Sequence, residues 1–149
     1  MDTKNTANIL QKGLEGLLND ITENLYKNNR VASGKTAKSL KVVMDVKPDV
    51  IKGQLLGSSV LEQLEYGRGK TKNAGSNASW ESDLRNWMRI RGIDQSAFYP
   101  IWRKINAEGY EGTKGLISDP ITKFKNNFAK QLKTQIVKDF SKNGINSNQ

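Results

Sequence analysis

The chain has no cysteine and no histidine among its 149 residues, and only three prolines. Without cysteine there is no disulfide, no thiolate nucleophile and no cysteine-ligated zinc. Without histidine the chain lacks the usual acid/base group near neutral pH and the commonest metal ligand. That excludes Ser-His-Asp and Cys-His catalysis and most catalytic zinc sites. Carboxylate-based catalysis and magnesium chemistry stay open. No run approaches the ~18 consecutive apolar residues of a membrane span. The start, Met1-Asp2-Thr3-Lys4-Asn5-Thr6, is polar and lacks the apolar stretch of a secretory signal. A soluble protein made in the cytoplasm, with no membrane partner, is the expectation.

The length suits one domain over residues 1–149. Hydrophobic residues make up 36% of the chain. That is lean, which fits either long solvated segments or surface that a partner covers. The formal net charge is +9. Residues 31–79 carry eight basic and four acidic groups, and residues 116–149 carry six and two. Residues 1–30 balance at four and four. The excess therefore sits in the middle and at the C-terminus. It suits nucleic acid, an acidic protein partner, or solubility alone.

Leu10, Leu14, Leu17, Leu18, Ile21 and Leu25 recur at helical spacing and predict a long amphipathic helix over about 6–28. Ser33-Gly34 breaks the pattern, and Ser33 is a cap for a short turn through Ser39. The stretches 40–47 and 50–57 are rich in β-branched and aliphatic residues and flank the turn signal Pro48-Asp49, so they predict a β-hairpin. Ser58 or Ser59 opens a helix over Val60 to Tyr66, closed by Gly67-Arg68-Gly69-Lys70. A helix from Trp80 has Leu84, Trp87 and Met88 on one face and ends at Arg91-Gly92-Ile93-Asp94. Another spans about 95–108 with Phe98, Ile101, Trp102 and Ile105. The last runs from Asp119 and Pro120 to Phe140, with Ile121, Phe124, Phe128, Leu132, Ile136, Val137 and Phe140 as its apolar stripe. Segments 67–79 and 109–115 are glycine-rich and polar and read as mobile loops; 141–149 reads as a frayed tail. The fold class is α+β, a long N-terminal helix on a small antiparallel sheet with further helices that include a long C-terminal one.

Candidate chemistry is sparse. Gly34-Lys35-Thr36 resembles the end of a phosphate-binding loop, but Asn29 stands where that loop needs its first glycine, and a helix precedes it rather than a strand. Trp80, Trp87 and Trp102, with Phe98 and Tyr99, have helical spacing and read as core rather than as a stacking platform. Glu62 and Glu65, like Glu81 and Asp83, read as exposed solubilising acids. The basic run 67–72 reads as a contact for phosphate or an acidic partner, or as a solvated turn. No catalytic, cofactor or metal residues are assigned, and the chain reads as a non-enzyme.

Three segments taken in order resemble a known family. They are Ser33-Gly34-Lys35-Thr36-Ala37-Lys38-Ser39-Leu40 after the long helix, Leu61-Glu62-Gln63-Leu64-Glu65-Tyr66-Gly67-Arg68-Gly69, and the tryptophan helix Trp87 to Ile93 followed by Ile101 to Gly109. Over about 5–140 this order resembles neck or tail-completion (head–tail connector) proteins of tailed bacteriophages. It is most like the version in crAss-like phages of Bacteroidetes. The chain departs from that family after Gly69, where Lys70 to Ser79 replaces a short proline-rich stretch. The resemblance implies a virion protein, assembled in the host cytoplasm, without cofactor or enzymatic activity. It implies a homo-oligomeric ring, six- or twelvefold with twelvefold favoured, that joins the portal-bearing head to the tail. Portal, adaptor or other ring proteins and tail proteins are the implied partners, with DNA passing through the lumen. On this reading Tyr66, Gly67, Arg68, Gly69, Lys70, Lys72 and Tyr110 are candidates for partner contact. Lys130, Lys133 and Lys138 are candidates for facing the lumen or DNA. From a different class, the basic charge and the aromatics also fit a small nucleic-acid-binding protein.

The incomplete phosphate loop yields a first prediction. Purified protein will show no ATP hydrolysis that depends on Lys35; turnover abolished by Lys35→Ala would overturn the non-enzymatic reading.

Overall fold

The computed structural model describes residues 3–71 and 78–145. Helix α1 spans Thr3–Lys27. Leu14, Leu17, Ile21 and Leu25 on its stripe are buried, and Leu10 and Leu18 pack beside them half-buried. A four-residue helix, α2 (Lys35–Lys38), precedes strands β1 (Lys41–Val46) and β2 (Ile51–Leu56). These form a two-stranded antiparallel sheet in the register Lys41↔Leu56 through Val46↔Ile51. Pro48-Asp49 makes the turn, closed by the Lys47 N–H donating to the Val50 carbonyl at 2.8 Å. Alternation along the strands puts Val42, Met44 and Leu55 against α1 and leaves Lys41, Val43 and Asp45 outside. The fold is mixed α+β, with the long N-terminal helix against a small antiparallel sheet.

Gly53 explains how close the sheet lies to α1. A Cβ there would sit 2.5 Å from Leu14 Cδ1 and 2.9 Å from Leu10 Cδ2. A glycine inside a strand usually weakens it, and here it admits the helix.

Helix α3 (Val60–Tyr66) follows. Helix α4 (Ala78–Ile90) and helix α5 (Phe98–Glu108) form a helical hairpin, joined through a 3₁₀ turn at Gln95–Ala97. The Ile93 N–H donates to the Met88 carbonyl at 2.9 Å across Gly92, which has φ +68°, as the glycine-type stop in the sequence implies. Hydrogen bonds from Ser96, side chain first and backbone N–H second, hold the Asp94 carboxyl below its ordinary range and start the 3₁₀ turn. Leu84, Met88 and Phe98 form a second, smaller core with Trp80, Ile101, Trp102 and Ile105 packed on it.

Helix α6 (Ser118–Ile145) closes the fold, antiparallel to α1. Asp20 pairs with Lys123 at 2.8 Å near the start of α6, and further along Lys12 and Gln131 line the same cleft between the two helices. The Asp20 carboxylate, by hydrogen bond and then by charge, raises the Lys123 pKa. The helix runs past Phe140, so 141–145, expected as part of a frayed tail, are helical. Residues 146–149 lie outside the described residues.

Two parts of the predicted core differ. The α6 stripe expected to include Ile136, Val137 and Phe140 continues instead through the half-buried Gln135 and Asp139, at i+3 and i+7 from Leu132. Ile136, Val137 and Phe140 fall on the adjacent face and are exposed, Phe140 at 74%. Trp87, expected on the buried face of its helix, is 39% exposed. Leu84 and Met88, four apart, take the places against α5 and turn Trp87 toward the loop after α1.

Leu25 is fully buried while its neighbour Tyr26 is 60% exposed. Leu25→Ala should cost about 2–5 kcal/mol of unfolding free energy. Tyr26→Ala should stay within about 0.5 kcal/mol. Urea titration of both variants checks the assignment of the helix face.

Candidate functional site

The segments carrying the family resemblance come together around one polar joint and one groove. The joint is built on Glu65. It lies at the end of α3, is 4% exposed, and is the buried charged side chain among the described residues. Its carboxylate accepts from the Ile117 N–H at 3.1 Å and the Ser118 N–H at 3.1 Å, and from the Ser118 hydroxyl. These are donors at the first turn of α6, which have no partner within their own helix. A negative charge there also meets the positive end of the helix dipole. Glu65 is therefore a capping group and not the exposed solubilising acid that its spacing from Glu62 suggests. Helical spacing could not reveal this, because the donors lie 53 residues away.

Segments 67–71 and 109–115, which read as two separate mobile loops, are partners of each other. Arg68 and Tyr110 exchange backbone hydrogen bonds, each 2.9 Å, as an isolated antiparallel bridge. The Thr113 N–H donates to the Leu64 carbonyl at 2.8 Å, and the Thr71 N–H to the Asn106 carbonyl at 3.0 Å. Gly67 has φ +80°, and a Cβ on it would strike the Tyr110 carbonyl. A Cβ on Gly112 would strike the Glu65 carbonyl. The glycines that suggested flexibility are what let the two backbones approach. Asn24 Nδ2 donates to the Leu116 carbonyl and Arg30 Nε to Thr113 Oγ1, which ties the same loop to the end of α1.

The seven residues proposed for partner contact separate on this geometry. Arg68 is turned inward: its guanidinium lies 4.7 Å from the Trp80 ring centroid and donates to Thr71 Oγ1 at 2.9 Å. Gly67 and Tyr110 are half-buried in the bridge. Tyr66, Gly69 and Lys70 face solvent, Tyr66 at 77%. Lys72 lies outside the described residues. Lys130, Lys133 and Lys138 are all exposed on α6 and have no ion-pair partner among the described residues.

The groove was not visible in the sequence as a groove. It measures about 480 Å³ and runs between the loop after α1, helix α2, helix α3 and the end of α4. Val31, Val60, Leu64, Trp87 and Ile93 give it an apolar floor and wall. Arg30, Lys35 and Arg91 bring three positive charges, and no carboxylate among the described residues lines it. Arg91 fixes its geometry. The guanidinium donates to Asn29 Oδ1 at 2.6 Å and to the Asn29 and Val31 carbonyls at 2.7 and 3.0 Å. All three acceptors are neutral, so the charge is held in place without being cancelled. Asn29 sits at φ +55°, a left-handed conformation that asparagine tolerates, and this turns its carbonyl toward Arg91. The Ser33-Gly34-Lys35-Thr36 segment forms one bank. Lys35 is exposed, and the Lys35 N–H donates to Ser33 Oγ at 3.3 Å. The groove's charged groups are all cationic, and no cluster of metal-ligating side chains occurs among the described residues.

Glu65→Ala should lower stability by about 1–3 kcal/mol, since it strands the donors at the start of α6. Faster amide exchange at Ile117 and Ser118 should accompany the loss. Unchanged stability and exchange would remove Glu65 from its capping role. No protein-family model, curated protein or solved structure matches this chain.

Proposed function

We propose that this chain is a structural, non-enzymatic subunit of a tailed-phage neck. It would form a ring that joins the portal-bearing head to the tail and lets DNA pass. The observation that carries the reading is convergence. Ser33–Ala37, Leu64, and the trio Trp87, Arg91 and Ile93 come from the three segments that resemble neck proteins, and all of them line the same groove. Competition from Leu84 and Met88 leaves Trp87 39% exposed beside cations that no described carboxylate in the groove neutralises. A neighbour covering it would gain, because aromatic and arginine anchors dominate interface energetics.

The C-terminal lysines fit the same role. Lys130 and Lys133 are three apart and share a face of α6, exposed and without ion-pair partners among the described residues. A cationic helix face suits a DNA path or an acidic neighbouring ring. It equally supports the second reading, a small nucleic-acid-binding protein, and the two differ in what loss of the gene does.

Deleting the gene from its phage should leave DNA-filled heads and separate tails that do not join. Normal infectious virions would defeat the neck reading. In the second reading, isolated protein binds duplex DNA with an affinity that falls steeply with salt, and Lys130→Ala and Lys133→Ala each reduce the slope.

A further inference from the structure

The hairpin connecting β1 and β2 ends in a tip unlike the rest of the surface. Val46 and Val50 are 51% and 59% exposed on either side of Pro48. Asp45 and Asp49 bring two carboxylates. Lys47 lies 3.5 Å from Asp45, while Asp49 has no ion-pair partner among the described residues. Lys52 stands across the ladder from Asp45, so the tip's uncompensated charge is the Asp49 carboxylate, set between two exposed valines. The groove beside Trp87 is the tip's counterpart: concave, apolar and cationic, with no lining carboxylate among the described residues.

A single copy cannot bring the two together. Val60, at the hairpin base, is part of the groove wall. The six-residue strands carry the tip roughly 20 Å away from that base. The paired ladder and the packing of Gly53 on Leu10 and Leu14 hold the strands in that direction.

We infer that the tip Asp45–Val50 of one copy seats in the Trp87–Lys35–Arg91 groove of the next copy. Val46 and Val50 meet Trp87 and Leu64, and Asp49 faces Lys35. The contact is heterologous, since the two surfaces differ. Such a contact closes into a ring when the rotation between neighbours divides a full turn. The inference rests on the ring reading above and names the subunit contact that would build it. Charge complementarity between Asp49 and the groove's Arg30, Lys35 and Arg91 selects a second copy in this orientation, and groove against groove repels.

Charge reversal tests it, since both residues are exposed and neither holds the fold. Asp49→Lys alone and Lys35→Glu alone should each weaken self-association roughly tenfold or more, measured by sedimentation velocity. The double variant should regain it. An equimolar mixture of the two single variants should regain it as well, because alternating copies then meet only opposite charges. With no native cysteine, Val50→Cys protein mixed with Thr36→Cys protein should form a disulfide-linked dimer on oxidation, and neither should do so alone. Two results overturn the contact. Wild-type rings that form and ignore all of these changes remove the contact and leave the ring reading in place. Wild-type protein that stays monomeric at millimolar concentration, and is missing from the neck of the virion, removes both.

Discussion

The carboxylate of Glu65 at the start of α6 is the interaction on which the rest of the arrangement depends. A buried carboxylate is costly unless it is hydrogen-bonded, and this one is bonded to two backbone N–H groups and a hydroxyl. Hydrogen bonds to a charged group contribute about 1.5–3 kcal/mol each, more than neutral ones. The gain has a structural consequence beyond its size. It fixes where the 28-residue α6 begins, and that start decides which residues of α6 meet α1. It also fixes the end of α3, and with it Leu64 on the groove floor. The tight approach at Gly67 and Gly112 follows, since the chain must turn away at once after the capping residue.

Around that joint the molecule has two apolar cores joined by polar contacts. The larger holds α1, the sheet and the start of α6. The smaller lies within the α4–α5 hairpin. Arg91 on the Asn29 and Val31 carbonyls, and Arg68 stacked on Trp80 and bonded to Thr71, span the seam. Arginine suits both positions, because its planar fork can bond several acceptors and stack on an aromatic face at once. A seam bridged in this way leaves space where a continuous core would have filled it. The groove lies there, walled on one side by α3 and on the other by Trp87 and Ile93.

Much of the fold was legible because its signals are local. The α1 stripe, the Pro48-Asp49 turn between β-rich stretches and the stop at Gly92 each depend on residues a few positions apart. The interaction sites were less legible because they depend on pairings across the chain. Glu65 looked like an exposed acid until its donors, 52 and 53 residues along the chain, were placed against it. Trp87 had the spacing of a core residue, and only the competition of Leu84 and Met88 for the same partner helix turned it outward. The glycines at 67 and 112 carry the same composition signal in a loose loop as in a tight crossing. Phe140 continued an apolar pattern whose partner face had already passed to Gln135 and Asp139. The groove could be found from sequence only as a coincidence of motifs, without its shape.

The proposed assembly role would give these features a common purpose. A ring subunit needs one surface that protrudes and another that receives, with charges that reject the wrong orientation. On the proposed reading the hairpin tip with Asp49 and the cationic groove would fill those roles, and the exposed lysines of α6, without ion-pair partners among the described residues, would leave a third face for DNA or for the next ring. The most direct measurement is the composition of neck complexes released from purified virions, by native mass spectrometry. The account predicts this chain together with the portal, in a fixed copy number of six or twelve. Virions that contain no copy of it would contradict the account.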